Sequence, residues 1–169
     1  DELEGTWQRV RAEAAEGHRT FVVVPLIEEG SDEAEGAAAA ESEAVRLREL
    51  LAPLRVGMVH GRLKPAERDA EMTRFRDGEL DVLVGTTVVE VGVDVPAATM
   101  MVIEGADRFG LAQLHQLRGR VGRGTVESFC VLVSDSTDEV AQARLHAVAD
   151  THDGFELAEM IRDHPRFRQ

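Results

Sequence analysis

The chain has 169 residues, 43% of them hydrophobic and 30% charged, which fits one soluble globular domain with a full hydrophobic core. Its formal net charge of −13 argues against a surface that binds nucleic acid throughout. A lone cysteine, Cys130, excludes a disulfide framework. Because the sequence shows no apolar run long enough to span a membrane and no secretory signal, we expect a cytoplasmic protein.

Short apolar runs rich in β-branched residues alternate with segments of helical periodicity. The apolar runs predict strands at 20–25, 55–60, 81–86, 99–103 and 128–133. The periodic segments predict helices at 7–16, 40–51, 65–75, 111–117 and 140–149. This alternation is typical of a three-layer α/β/α domain with a mainly parallel central sheet, whose ligands bind beyond the carboxyl ends of the strands.

One segment, 28–43, departs from this pattern. It is acidic and rich in small residues, and it carries no large apolar side chain. Such a composition predicts a mobile, solvated loop that leads into the second helix.

Several catalytic motifs are absent from the sequence. No Gly-x-x-x-x-Gly-Lys-Ser/Thr motif is present to hold a triphosphate, and the six histidines show no metal-ligand spacing. We therefore expect no metal site in this chain. A self-sufficient ATPase, a metalloenzyme and a nucleophilic hydrolase are all disfavoured.

The segment 108–124 is the one cationic stretch in the acidic chain, with four arginines and no acid. Arg118, Arg120 and Arg123 alternate there with glycines, which allow close backbone approach to a ligand. Guanidinium groups are planar donors that suit phosphate oxygens, so two of these side chains fit the role of arginine fingers on a γ-phosphate. The alternative is a solvated basic turn paired with acids.

Two further segments place polar residues at strand ends. Thr86 ends the strand at 81–86 and Thr87 follows it, and their hydroxyls suit a phosphate there. Asp94 suits a ribose hydroxyl or a finger arginine. Alternatively, the threonines reflect β-propensity and helix capping, and Asp94 an ordinary turn. The strand at 55–60 ends at His60-Gly61, and Arg62 and Lys64 follow on a loop that suits a nucleic-acid backbone or simply solvent.

In order and spacing, these segments resemble the second RecA-like domain of superfamily 2 helicases. The runs that carry the resemblance are His60-Gly61…Glu67-Arg68…Phe75, Thr86-Thr87…Gly92-Val93-Asp94 and Gln116-x-x-Gly119-Arg120-x-Gly122-Arg123. Within the superfamily, the segment from Glu104 to Arg123 looks like the RecG family of branched-DNA helicases or its relatives, the transcription-repair coupling factors. The segments 24–29, 60–67 and 153–159 favour RecG.

The resemblance implies a role for each matching residue. Gly92 and Asp94 would line the ATP cleft, Gln116 would sense the γ-phosphate, and Arg120 and Arg123 would be the fingers. Contacts to the DNA backbone would come from His60, Gly61, Arg62, Thr86 and Thr87.

The resemblance also implies partners. Mg²⁺ and the P-loop would belong to a first RecA-like domain that this chain lacks, so we expect a domain at 1–159 that is inactive alone and acts with that partner domain on branched or forked DNA. The segment 160–169 departs from the RecG pattern, which suggests a fragment. A coupling-factor motor half and a non-catalytic RecA-like binding module remain the alternatives.

Overall fold

The computed structural model describes residues 2–24, 33–60, 62–86, 98–110, 112, 114, 129–134, 138–151 and 155–159. Its helices are α1 (Glu2–Ala15), α2 (Glu33–Leu50), α3 (Pro65–Arg76) and α4 (Glu139–Thr151), with a 3₁₀ turn at Ala106–Arg108. Its strands are β1 (Arg19–Val24), β2 (Val56–Val59), β3 (Val82–Thr86), β4 (Ala98–Ile103), β5 (Phe129–Ser134) and β6 (Phe155–Glu159). None of the helices in these ranges is long and apolar enough to span a membrane.

The six strands form one sheet in the order β2-β3-β1-β4-β5-β6, and every described pairing is parallel. Their carboxyl ends therefore lie along one edge of the sheet. The predicted α/β fold is confirmed, and the five predicted strands are present within one or two residues of their expected bounds.

Alternate residues of the central strands face opposite sides of the sheet, because side chains alternate along a strand. Val22 and Val24 of β1 pack with α1 and α2, whereas Phe21 and Val23 pack on the other face with α3 and α4. Right-handed crossovers explain why α2 lies on one face of the sheet and α3 and α4 on the other. The connection through α2, from β1 to β2, moves in one direction along the sheet. The connections through α3, from β2 to β3, and through α4, from β5 to β6, move in the opposite direction.

The prediction of a mobile loop over 28–43 is wrong for 33–43, which belongs to α2. Residues 28–32 lie outside the described residues. Alanine is the best helix former, and four alanines in a row stabilise this part of the helix. Ala40 and Ala44 are fully buried against the sheet, and their small side chains let the helix backbone lie close to the strands.

The outermost strand, β2, is covered by side chains from two helices. Glu71 of α3 accepts a hydrogen bond from the Met58 N–H at 3.2 Å, and Arg48 of α2 donates to the Val56 carbonyl at 3.0 Å. Gly57, which has no side chain, leaves room for the Glu71 carboxylate beside β2. A Cβ at that position would lie 2.5 Å from Leu80 Cδ1 and 2.6 Å from Glu71 Oε2.

Candidate functional site

Two of the predicted site residues lie side by side where β2 and β3 end. Val59 pairs with Gly85, so His60 and Thr86, which follow them, lie at the same level at the carboxyl edge of the sheet. Neighbouring strands are about 4.8 Å apart, which brings two different chain segments to one place. Arg62 lies on the loop directly after His60.

The His60 ring is buried, with 4% of its side chain exposed, and both its nitrogens have partners within the fold. Nδ1 accepts a hydrogen bond from the Arg62 N–H at 3.2 Å. Nε2 lies 3.3 Å from Oε1 of Glu41, a residue of α2. Both ring nitrogens are thus engaged within the fold, and the contact of His60 with DNA stays a prediction.

Further hydrogen bonds shape the loop that carries Arg62. The Leu63 N–H donates to the His60 carbonyl at 3.2 Å, and the Lys64 N–H donates to Oε1 of Glu67 in the first turn of α3 at 3.2 Å. Arg62 and Lys64 are both exposed. Within the described part of the chain, the Arg62 guanidinium forms no ion pair, so it is available to an external anion.

Thr86 presents an unsatisfied hydroxyl at the same edge. Its side chain is buried, with the residue 3% exposed, and Oγ1 has no hydrogen-bond partner among the described residues. A buried hydroxyl without a partner is costly, and most such groups in folded proteins are bonded to something. A ligand oxygen is therefore a suitable partner for Thr86 Oγ1.

A cluster of charged residues occupies the carboxyl end of β4. Arg46 of α2 donates two hydrogen bonds to Glu43, at 2.6 and 2.8 Å, and its Nη2 lies 3.8 Å from Glu104 Oε2. The Arg46 guanidinium also lies over the Trp7 ring, 5.8 Å from its centroid. These contacts join α1, α2 and β4.

The two carboxyl groups of this cluster have different pKa values. Burial, aided by a hydrogen bond to Glu43, raises the pKa of Glu104 to about 9. Burial also disfavours the charged form of Glu43, but the hydrogen bonds from Arg46 and Glu104 outweigh it and lower the pKa of Glu43. The pair therefore shares one proton at neutral pH, with Glu104 as the hydrogen-bond donor.

The segment after Glu104 is held at several points, both before 108–124 and within its first half. Ser134 Oγ, at the end of β5, donates a hydrogen bond to Asp107 Oδ1 at 2.6 Å. Ala106, Phe109 and Leu114 are buried in the core between the sheet and the α3 and α4 layer. This anchoring fixes where the arginine-rich segment begins.

The remaining predicted site residues lie outside the described residues. They are Gly61, Thr87, Gly92, Asp94, Gln116, Arg120 and Arg123. Among the residues that are described, no three His, Cys, Asp or Glu side chains are grouped as metal ligands would be.

Sequence comparison defines the class of this domain. The family model for the helicase conserved C-terminal domain matches residues 5–125, which is most of the chain. The chain therefore belongs to the helicase C-terminal domain family, whose members have the RecA-like fold of superfamily 2 helicases.

Within that family the chain is similar to RecG. It is 52% identical over 165 residues to the ATP-dependent DNA helicase RecG of Mycobacterium bovis, covering 94% of this chain and 22% of that protein. The Escherichia coli K12 RecG is 53% identical over 145 residues, which are 85% of this chain and 21% of the relative. The predicted likeness to RecG is confirmed, although the chain spans only about a fifth of these relatives.

Solved structures agree. The chain matches the structure of RecG bound to a three-way DNA junction with a TM-score of 0.71 and 44% identity, over 91% of this chain and 20% of that one. The C-terminal domain of the DEAD-box protein Dbp5 matches with a TM-score of 0.61 at 21% identity, which supports the fold alone.

Proposed function

We propose that this chain is the second motor domain of an ATP-dependent helicase that remodels branched DNA. The observation that carries the proposal is the 44% identity, over 91% of the chain, to a RecG whose structure holds a three-way DNA junction. The activity would belong to the whole helicase, in which this domain works beside a first RecA-like domain. Such a motor would act in the cytoplasm.

The edge formed by the ends of β2 and β3 is the proposed DNA side of the domain. Arg62 supplies a fixed positive charge and Thr86 an unpaired hydroxyl, and Gly61 and Thr87 would add contacts beside them. All of these groups suit phosphate oxygens rather than base edges. Contacts to phosphates give affinity without sequence preference, as a translocating motor requires.

The proposed ATP side uses the residues named from the resemblance. Gly92 and Asp94 would hold the nucleotide, Gln116 would sense the γ-phosphate, and Arg120 and Arg123 would stabilise the charge that develops on it. ATP hydrolysis supplies the free energy for movement along DNA. Mg²⁺ would be held by the partner domain, since the sequence of this chain has no motif for it.

Alanine substitution of the two fingers in the helicase that contains this chain tests the proposal. We expect Arg120→Ala and Arg123→Ala each to lower ATP turnover by about 10³- to 10⁵-fold while ATP binding persists. Arg76→Ala, at an exposed position of α3, is the matched control and should leave turnover unchanged. Near-normal turnover in both finger variants would contradict the role and would favour a non-catalytic binding module.

A further inference from the structure

The buried histidine at the end of β2 does not face solvent. His60 is 3% exposed, yet it lies two residues before the exposed Arg62. Its two hydrogen bonds connect α2, through Glu41, to the backbone of the loop, through the Arg62 N–H. The ring therefore bridges a helix and the proposed DNA-binding loop.

The direction of these hydrogen bonds fixes the tautomer of the ring. A backbone N–H can only donate, so Nδ1 must accept from Arg62 and carries no proton. The ring proton is then on Nε2, which donates to the Glu41 carboxylate. Glu41, as the acceptor at Nε2, favours the same tautomer that the Arg62 N–H requires.

We propose that Glu41 and His60 are positioning residues for DNA binding, which hold the loop backbone so that Arg62 faces the phosphates. This inference rests on the proposed function, because it assigns the conformation of the same DNA-binding loop. Glu41 selects the tautomer of His60, and His60 Nδ1 holds the Arg62 N–H. Neither side chain touches DNA.

The surrounding geometry supports this assignment. His60 contributes two acceptors to the loop, its carbonyl for the Leu63 N–H and its Nδ1 for the Arg62 N–H. The loop is held at its other end where the Lys64 N–H binds Glu67. Arg62 lies between these fixed points with its side chain exposed, so the conformation of the loop determines where its guanidinium is presented.

Two substitutions at His60 separate the two hydrogen bonds. Asn places its side-chain oxygen near the position of Nδ1 and readily accepts from the N–H two residues on, as in an Asx turn. Gln instead places an amide N–H₂ near the position of Nε2 and offers no acceptor to Arg62. In the full helicase, we expect His60→Asn to bind forked DNA as the unaltered protein does, and His60→Gln to bind roughly 3- to 10-fold more weakly.

Glu41 provides a double-mutant test. In the unaltered background, Glu41→Ala frees the ring to change tautomer and should weaken DNA binding severalfold. In the His60→Asn background the same change should have no effect, because Asn needs no partner to remain an acceptor. Glu49→Ala, at another exposed position of α2, is the matched control and should be neutral in both backgrounds.

Nitrogen-15 NMR of the His60 ring measures the tautomer directly. The proton should be on Nε2 in the unaltered chain, and the Nδ1-protonated form should become populated in Glu41→Ala. A proton on Nδ1 in the unaltered chain would overturn the inference even if a variant failed to fold. Equal DNA affinities of His60→Asn and His60→Gln, or an equal cost of Glu41→Ala in both backgrounds, would also overturn it.

Arg62→Ala distinguishes failure of this inference from failure of the DNA contact. If Arg62 binds a phosphate, its loss weakens DNA binding and reduces the slope of log affinity against log salt by about 0.7–0.9. Such an effect with indistinguishable Asn and Gln variants overturns only the positioning role. No effect of Arg62→Ala overturns the proposed DNA contact and the positioning role together.

Discussion

The polar groups at the two halves of the sheet's carboxyl edge differ in whether they have partners within the fold. At the ends of β2 and β3, the Thr86 hydroxyl has no partner among the described residues and the Arg62 guanidinium has no ion pair there. At the end of β4, by contrast, Glu104 is bound to Glu43 and Arg46 within the fold. The first half leaves polar groups free and is the proposed ligand-receiving half, whereas the second half binds its polar groups to one another.

The largest expected effect concerns the shared proton of the second half. Because the pKa of Glu104 is raised to about 9, the native state binds a proton that the unfolded state releases above its ordinary value of 4.5. Stability of the chain should therefore fall as pH rises from about 5 to 9, by up to about 1.4 kcal/mol per pH unit. Glu104→Gln should remove this slope in urea unfolding.

Glu49→Gln, on the exposed side of α2, is the control for that measurement and should keep the slope of the unaltered chain. Parallel stability profiles for Glu104→Gln and the unaltered chain would show that Glu104 does not hold the proton. The half of the edge at the end of β4 would then lack the shared proton that binds Glu104 to Glu43.

A smaller effect is expected when the cation of the cluster is removed. Arg46→Met retains much of the packing over Trp7 but removes the two hydrogen bonds that Arg46 donates to the Glu43 carboxylate. We expect a loss of about 2 kcal/mol in the free energy of unfolding at pH 7. Arg76→Met, at an exposed position of α3, should change it by less than about 0.5 kcal/mol. If the two substitutions lowered the free energy of unfolding equally, the cluster of Arg46, Glu43 and Glu104 would not stabilise the fold.

The smallest expected effect tests the ligand-receiving half. Thr86→Val removes a buried hydroxyl that lacks a partner, so stability should stay constant or rise by up to about 1 kcal/mol, while DNA affinity of the full helicase falls. Thr99→Val is the matched control, because the Thr99 hydroxyl donates to Glu13 at 2.5 Å and its loss should destabilise the chain. Thermal unfolding and DNA titration measure the two effects, and a loss of stability in Thr86→Val would contradict the assignment.

The sequence predicts the strands well because each is a short, nearly continuous run of apolar residues. β6 was not predicted, since Phe155–Glu159 alternates with acids and lies at the edge of the sheet, where the pattern is weaker. The start of α2 was also missed. Its contact with the sheet is made by buried alanines, which no search for large apolar side chains detects.

Local motifs in the sequence predict which residues lie at the site but not which distant residues contact them. His60 and Thr86 were placed at strand ends correctly, because their positions follow from the strands themselves. The partner of His60 was not predictable, since Glu41 lies 19 residues earlier on a segment expected to be a loop. The acid Glu104 directly after a buried strand was a usable signal, but its partners Glu43 and Arg46 are brought to it only by the fold.

The covered edge strand β2 affects how readily this domain would self-associate in a crowded cell. An open β edge is a template onto which another polypeptide can add a strand, and proteins protect such edges against aggregation. Here Glu71 and Arg48 occupy the outward N–H of Met58 and the outward carbonyl of Val56. A methyl group at Gly57 would displace Glu71 and press on the core residue Leu80, and the uncovered edge would then favour self-association of the domain.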